Sequence, residues 1–242
     1  SRLMPYFDPQ ALARDAGGQW NHVPSGPVRG FCQDTRRLRE GDLFMAIRAE
    51  RDGHDFLRAA ADAGATAALV ERFLDDCDLP QLRVPDTGDA FLNLAREHRV
   101  RYPGKVVGVT GSCGKTSTKE LLRLLLGRER CHATEGNLNN LLGVPLTLLR
   151  LDSALHDVAV VEAGINVPGE MERLARTISP DLVVVTMVGA SHLEGLGTVE
   201  NVAAEKARLF EDAGRPVTVI FPEDCLRFSS FARAARRDFR SL

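Results

Sequence analysis

The sequence predicts an α/β protein: a small N-terminal α/β domain over residues 1–103, then a doubly wound, mostly parallel sheet domain over residues 104–242. Two observations predict it. In the second half, short and nearly continuous apolar runs alternate with amphipathic stretches, the pattern of parallel strands covered on both faces and joined by right-handed crossover helices. Between the halves, Pro103-Gly104 ends an amphipathic stretch just before the first of those runs, which sets the domain boundary there. With 242 residues, 44% hydrophobic and 26% charged, the chain has the composition of a globular protein and can bury two cores.

The elements follow in order. Residues 41–47, "GDLFMAI", read as a turn and a strand, and residues 55–65 as a short helix ended by Gly64. Residues 66–70, "TAALV", form a second strand. Residues 90–102 form a helix with Phe91, Leu94, Ala95 and His98 on one face. After the break come a strand at 105–109, a helix at 115–126, a strand at 157–164, a helix at 169–178, a strand at 181–189, a helix at 198–210 and a strand at 216–221. The tail "FARAARRDFRSL" is helix-like and rich in arginine.

Composition removes several functions. Lys+Arg total 31 against 33 Asp+Glu, a formal charge of −2, so no nucleic-acid partner is expected. Cys32, Cys77, Cys113, Cys131 and Cys225 are odd in number and form no C-x-x-C pair. They fit reduced thiols in a cytoplasm better than a disulfide framework or a zinc site. No apolar run reaches membrane-spanning length, and the N-terminus carries no signal-peptide pattern.

In a doubly wound sheet, ligands bind at the carboxyl ends of the strands. The first of these ends in "GVTGSCGKTSTKELL". Gly111, Ser112, Cys113, Gly114, Lys115, Thr116 and Ser117 make a glycine-rich turn that opens a helix, where backbone N–H groups and the helix N-terminus both favour a polyphosphate. Lys115 reaches outer phosphates and Thr116 offers a hydroxyl to Mg²⁺. The standard P-loop spacing needs glycine at position 109, where Val109 stands, and a plain strand-to-helix turn with a surface lysine is the competing reading. The next strand ends in Glu162, a carboxylate suited to Mg²⁺ or simply an exposed loop residue. The third ends in "GASHLEG", which puts His192 and Glu194 beyond its tip. On the helix at 198–210, Lys206 shares the apolar stripe of Val199, Val202, Ala203, Leu209 and Phe210. It either snorkels to water or points into the site. Asn137, Asn139 and Asn140 crowd before an apolar run, as turn and cap residues or as amide donors to a ligand.

The stretches "GVTGSCGKTSTKELL", "TEGNLNNLLGVPLTLL", "VVEAGINVPGEMERLARTISPDLVVVT" and "ASHLEGLGTVENVAAEKARLF" stand in the order and spacing of the Mur ligases, and the chain resembles that family. "QDTRRLREGDLFMAIRAERDGHDFLRAAADAGATAALV" is similar to the family's N-terminal domain, which holds the UDP end of the precursor. The likeness runs from about residue 28 to residue 220. The "GNLNN" block points to the branch that joins D-Ala-D-Ala to UDP-MurNAc-tripeptide.

The resemblance implies an ATP-dependent amide ligase of peptidoglycan precursor synthesis: a monomeric cytoplasmic enzyme acting on a UDP-MurNAc-peptide and D-Ala-D-Ala through an acyl phosphate. It implies that the turn from Gly111 to Ser117 holds ATP and that Thr116 and Glu162 hold a first Mg²⁺. His192 and Lys206 serve a second Mg²⁺, the lysine as its carbamate. Lys115, Glu162, His192 and Lys206 are then catalytic, Asp34, Thr35 and Arg36 lie near the uridine, and Asn137, Asn139 and Asn140 face the substrate. Three departures stand out. Thr186-Met187 occupies a Thr-Asn position, Phe221 replaces an asparagine after the last strand, and family members run well past this length. The chain is therefore expected to be a fragment or truncated relative that does not turn over alone. A MurE-type or other amino-acid ligase of the superfamily, and a nucleotide- and UDP-precursor-binding module inactive alone, are the other readings. A switch GTPase lacks support, because no N-K-x-D motif is present.

Overall fold

The computed structural model describes residues 5–48, 51–191 and 193–238. The chain divides into two compact units, Ser1–His98 and Arg99–Leu242.

The first unit contains α1 (Pro9–Ala16), β1 (Gln19–Trp20), β2 (Gly30–Cys32), β3 (Asp42–Met45), α2 (Leu57–Asp62), β4 (Ala67–Val70), β5 (Gln81–Arg83) and most of α3 (Thr87–Arg101). Its sheet has the order β1-β5-β4-β3-β2, parallel except for the antiparallel edge pair β1–β5. Phe44, Leu57, Ala60, Ala68 and Val70 form one face of its core. The helix read at 55–65 is shorter: a 3₁₀ turn at Gly53–Phe56, capped by the Asp52 carboxylate, leads into α2. The strands β1, β2 and β5 are too short to show a period, while α1 is marked by its Asp8 N-cap, Pro9 and the Gly17 C-cap and buries Pro9, Leu12 and Ala16.

The second unit contains β6 (Lys105–Thr110), α4 (Lys115–Leu125), β7 (Cys131–Ala133), α5 (Gly143–Leu148), β8 (Val158–Glu162), α6 (Glu170–Ile178), β9 (Leu182–Val185), α7 (Leu193–Leu196), α8 (Val199–Glu211), β10 (Thr218–Ile220) and α9 (Ser229–Asp238). Its sheet is parallel throughout, in the order β10-β9-β6-β8-β7. The chain runs from β6 to the edge at β7, returns to β8, then crosses to β9 and β10. β6 therefore has a later strand on each side, and the crevice at its carboxyl end is the switch point at which such sheets bind ligands. Val109 pairs with Glu162 and Thr110 with Val185, so the three strand tips are level.

The strand read at 181–189 is shorter: β9 ends at Val185. Beyond that point the backbone serves the glycine-rich turn instead of the sheet, with the Thr186 N–H donating to the Thr110 carbonyl and the Met187 carbonyl accepting from Ser112. On the tail, Phe221 and Phe210 both pack edge-on against Phe231 of α9, so the phenylalanine in the expected asparagine position is a packing residue.

At the opposite, amino end of the strands, Arg99 is almost fully buried. Its guanidinium donates to the carbonyls of Ile178, Tyr102 and Ser179 and to the Asp181 carboxylate at 2.8 Å. Asp181 also accepts from the Val106 N–H at 2.9 Å. Burial pushes the Asp181 carboxyl up, but the Val106 N–H and the surrounding cations outweigh it and hold the pKa below the usual carboxylate range. A depressed carboxyl stabilises the fold above its unfolded pKa and loses that contribution as the pH falls through its folded value. Asp181→Asn should thus cost about 2 kcal/mol at pH 7. Urea denaturation at pH 7 and at pH 3 should show the gap between variant and parent narrowing in acid; a gap that stays constant would contradict this.

Candidate functional site

The turn after β6 is built for close approach of a ligand. Gly111 has φ 149° and Gly114 φ 82°, both in the region that favours glycine. A Cβ on Gly111 would fall 1.9 Å from the Thr186 hydroxyl oxygen. That hydroxyl donates to the Cys113 carbonyl and lies 3.3 Å from the Thr110 carbonyl, tying the turn to the tip of β9. Ser112 is pinned through its hydroxyl to the Gly189 carbonyl at 3.0 Å and to Ser191 at 2.8 Å. Cys113, Gly114, Thr116 and Ser117 stay exposed, and no side chain caps α4, so its first N–H groups face outward. The Lys115 ammonium folds back onto the Gly111 carbonyl at 2.8 Å. Val109 does not disturb this turn, because it is a buried strand residue of β6.

Glu162 is not an exposed loop carboxylate. It is 2% exposed and held from several elements. The Thr116 hydroxyl donates to one carboxylate oxygen at 3.1 Å and the Asn139 amide to the other at 2.8 Å. Its own N–H donates to the Thr134 hydroxyl at 2.9 Å. Behind Thr134, the buried Lys119 ammonium donates to the Thr134 carbonyl at 2.7 Å and pairs with Glu120 at 3.1 Å. Sequence reasoning missed Lys119 and Thr134. Lys119 stands four residues after Lys115, one helical turn on along the same face, and that spacing is the available signal.

Lys206 does not snorkel. It is 0% exposed, and among the described residues its ammonium has no hydrogen-bond partner. Burial, and then the charge of Lys115, lower its pKa to about 8. The neighbouring Glu205 turns the other way, accepting from the N–H groups of Gly169 and Met171 at the start of α6, and so fixes α8 against α6.

The remaining sequence-read residues scatter. Asn140 accepts from the N–H groups of Leu142 and Gly143, as a turn residue leading into α5. Asn137 is exposed, and Asn139 turns inward to Glu162. Glu194 is exposed on α7. His192 lies outside the described residues. Asp34, Thr35 and Arg36 belong to the first unit, where the Asp34 carboxylate takes both the Nε and Nη2 groups of Arg36, at 2.9 and 2.8 Å; that hydrogen-bonded pairing lowers its pKa to about 2.

The residues at the carboxyl rim fit a polyphosphate with Mg²⁺. Among the described residues, no group of three or more His, Cys, Asp and Glu side chains is placed to hold a metal by itself. One hydroxyl and one carboxylate 3.1 Å apart suit a Mg²⁺ whose other ligands are phosphate oxygens and water.

The profile of the Mur ligase middle domain matches residues 109–241. A UDP-N-acetylmuramoyl-tripeptide–D-alanyl-D-alanine ligase of Escherichia coli (strain K12) is 46% identical over 179 residues, 73% of this chain and 39% of that protein. Its namesake from Bacillus subtilis (strain 168) is 36% identical over 201 residues, covering 81% and 44%. The crystal structure of MurF from Acinetobacter baumannii superposes with a TM-score of 0.87 at 30% identity, over 93% of this chain and 52% of that one. The MurF ligase of Thermotoga maritima, in complex with ADP, gives 0.75 at 34% identity, over 85% and 48%. The chain thus spans about half the length of these relatives or less. The middle-domain profile covers more than half of the chain, and this protein belongs to the Mur ligase family.

Proposed function

We propose that this chain carries the nucleotide-handling part of an ATP-dependent amide ligase that adds D-Ala-D-Ala to a UDP-MurNAc-tripeptide. The observation that carries the reading is the convergence of a phosphate-type turn, a buried carboxylate and a fully buried lysine at one switch point. The names of the relatives supply the substrates.

The turn's outward N–H groups and Lys115, once released from the Gly111 carbonyl, would bind the ATP phosphates. Thr116 and Glu162 would hold Mg²⁺, which when bound screens the approach of a carboxylate to the terminal phosphate. Asn139, Thr134 and Lys119 keep Glu162 oriented. In the reaction the terminal carboxylate of the nucleotide-linked peptide takes the phosphoryl group of ATP and ADP leaves. The acceptor amine then attacks the acyl carbon, gives up a proton and expels phosphate. Lys206, next to Lys115, is proposed to become a carbamate and, with His192, to serve a second Mg²⁺. A buried ammonium with no partner among the described residues supports this, since its neutral amine adds CO₂ and turns a repelling cation into an anion. Asp34, Thr35 and Arg36 are proposed to meet the uridine end and Asn137 the peptide. The enzyme is proposed to act as a cytoplasmic monomer; among the described residues no helix is long and apolar enough to cross a membrane.

Calorimetric titration tests the turn. Lys115→Ala should weaken Mg·ATP binding at least about tenfold, roughly 1.4 kcal/mol, with an unchanged circular dichroism spectrum. Equal affinity would remove the turn from the nucleotide site. Acceptor identity is read by ADP release over a panel of UDP-muramoyl peptides and dipeptides, on a chain of the relatives' full length. Release that does not depend on D-Ala-D-Ala would overturn the substrate assignment.

Lys206 has two readouts independent of ligation. With ¹³C-bicarbonate, a carbamate carbon signal should grow as the pH rises towards about 8 and the amine becomes neutral, and Lys206→Met should lack it. In CO₂-free buffer the same variant should be more stable than the parent by on the order of 2 kcal/mol below pH 8. The lowered lysine pKa destabilises the fold while the amine is charged, so this gain should fade between about pH 8 and the unfolded value near 10.5. A parent chain without the carbamate signal, or a less stable variant, would refute the proposal.

A further inference from the structure

A second charged cavity lies at the amino ends of the strands, away from the phosphate turn. It measures about 310 Å³, and Arg99, Tyr102, Lys105, Ser179, Asp181 and Arg215 contribute to its lining. Three of these are cations and one is an anion. The carboxylate is heavily shared: one oxygen takes the Arg99 guanidinium at 2.8 Å and the Val106 N–H at 2.9 Å. The other is approached by Arg215 at 3.3 Å and Lys105 at only 3.5 Å. A single negative charge cannot neutralise three positive ones, so the cavity carries an excess of two positive charges. The strain is visible on Arg99, whose guanidinium is held below its ordinary pKa first by burial and, against the pull of Asp181, also by Arg215.

The two loosely engaged cations are the accessible ones: the Lys105 side chain is 75% exposed and that of Arg215 42%. Arg99 is spent on three carbonyls and a carboxylate and holds the floor rigid. Such a pair, one planar fork and one ammonium above a fixed positive floor, suits an anion with several oxygens and about two negative charges better than a carboxylate with two oxygens and one.

We propose that this cavity is a phosphate-dianion site, independent of the nucleotide turn, in which Arg215 and Lys105 bind the oxygens and Arg99 supplies fixed positive charge. The ligand is inorganic phosphate or the phosphate of a small monoester, and exposure of both binding cations sets its affinity in the millimolar range.

The test is an amide NMR titration of the ¹⁵N-labelled chain with inorganic phosphate at constant ionic strength. It is run on the parent and on Lys115→Ala, which weakens phosphate binding at the turn. Saturable shifts should appear at Val106, Ser179 and Asp181 in both, with a dissociation constant on the order of 1–10 mM. Arg215→Ala and Lys105→Ala should each weaken it about fivefold or more. Both side chains sit at the surface, so the variants should keep the parent spectrum elsewhere. Repeating the titration with glycerol phosphate separates the sources: equal or tighter binding marks an esterified phosphate, weaker binding the free ion, and both uphold the site. Shifts confined to residues 111–117, shifts that never saturate, or an unchanged dissociation constant in Arg215→Ala would overturn it.

Discussion

A buried carboxylate must be surrounded by donors or lose its charge, and Glu162 imposes that demand on the second unit. Its donors come from separate elements, a hydroxyl at the start of α4 and an amide from the segment before α5, while its own N–H donates to the Thr134 hydroxyl just after β7. Satisfying one carboxylate therefore sets where α4 begins and how the asparagine segment folds back. Lys119 closes the arrangement from behind, its own burial made tolerable by the Thr134 carbonyl and Glu120. The same contacts leave the Thr116 hydroxyl pointing at the carboxylate across the rim of the phosphate turn, where the proposed Mg²⁺ would bind.

Lys206 is the opposite case. Its ammonium is buried with no partner among the described residues, on a helix that Glu205 and the apolar stripe hold in place. Native proteins rarely keep such a group unless function needs it. The cost is borne by packing elsewhere: Val202, Ala203, Leu209 and Phe210 are all buried on the same helix. The proposed carbamate would replace this buried cation with an anion able to take a metal ion.

Charged groups gather at both ends of the parallel sheet. At its carboxyl end, cations and one carboxylate stand around an open turn. At its amino end, Arg99 and Asp181 join the segment before β6 to the segment before β9. Both sequence departures have a structural role in this setting. At Met187 the backbone carbonyl accepts from the Ser112 N–H. Phe221 joins the aromatic cluster with Phe210 and Phe231.

The sequence by itself determined the alternation of strands and helices, the glycine-rich turn, the strand-end position of Glu162 and the face on which Lys206 lies. All of these are local: a period of 3.6, a continuous apolar run or a glycine beside a lysine is written in neighbouring residues. It could not decide between a snorkelling and a buried Lys206, because a stripe position does not say whether a neighbour closes over the side chain's end. Nor could it find Thr134, or the inward turn of Asn139 as against the backbone-bonding role of Asn140, since those depend on partners more than twenty residues away in sequence for the first two and on turn geometry for the third. The short strands β1, β2, β5 and β7 exist through pairing with neighbours, not through their own patterns. Tertiary structure alone also brought Lys105, Asp181 and Arg215 together, because parallel pairing aligns the starts of strands that lie far apart along the chain.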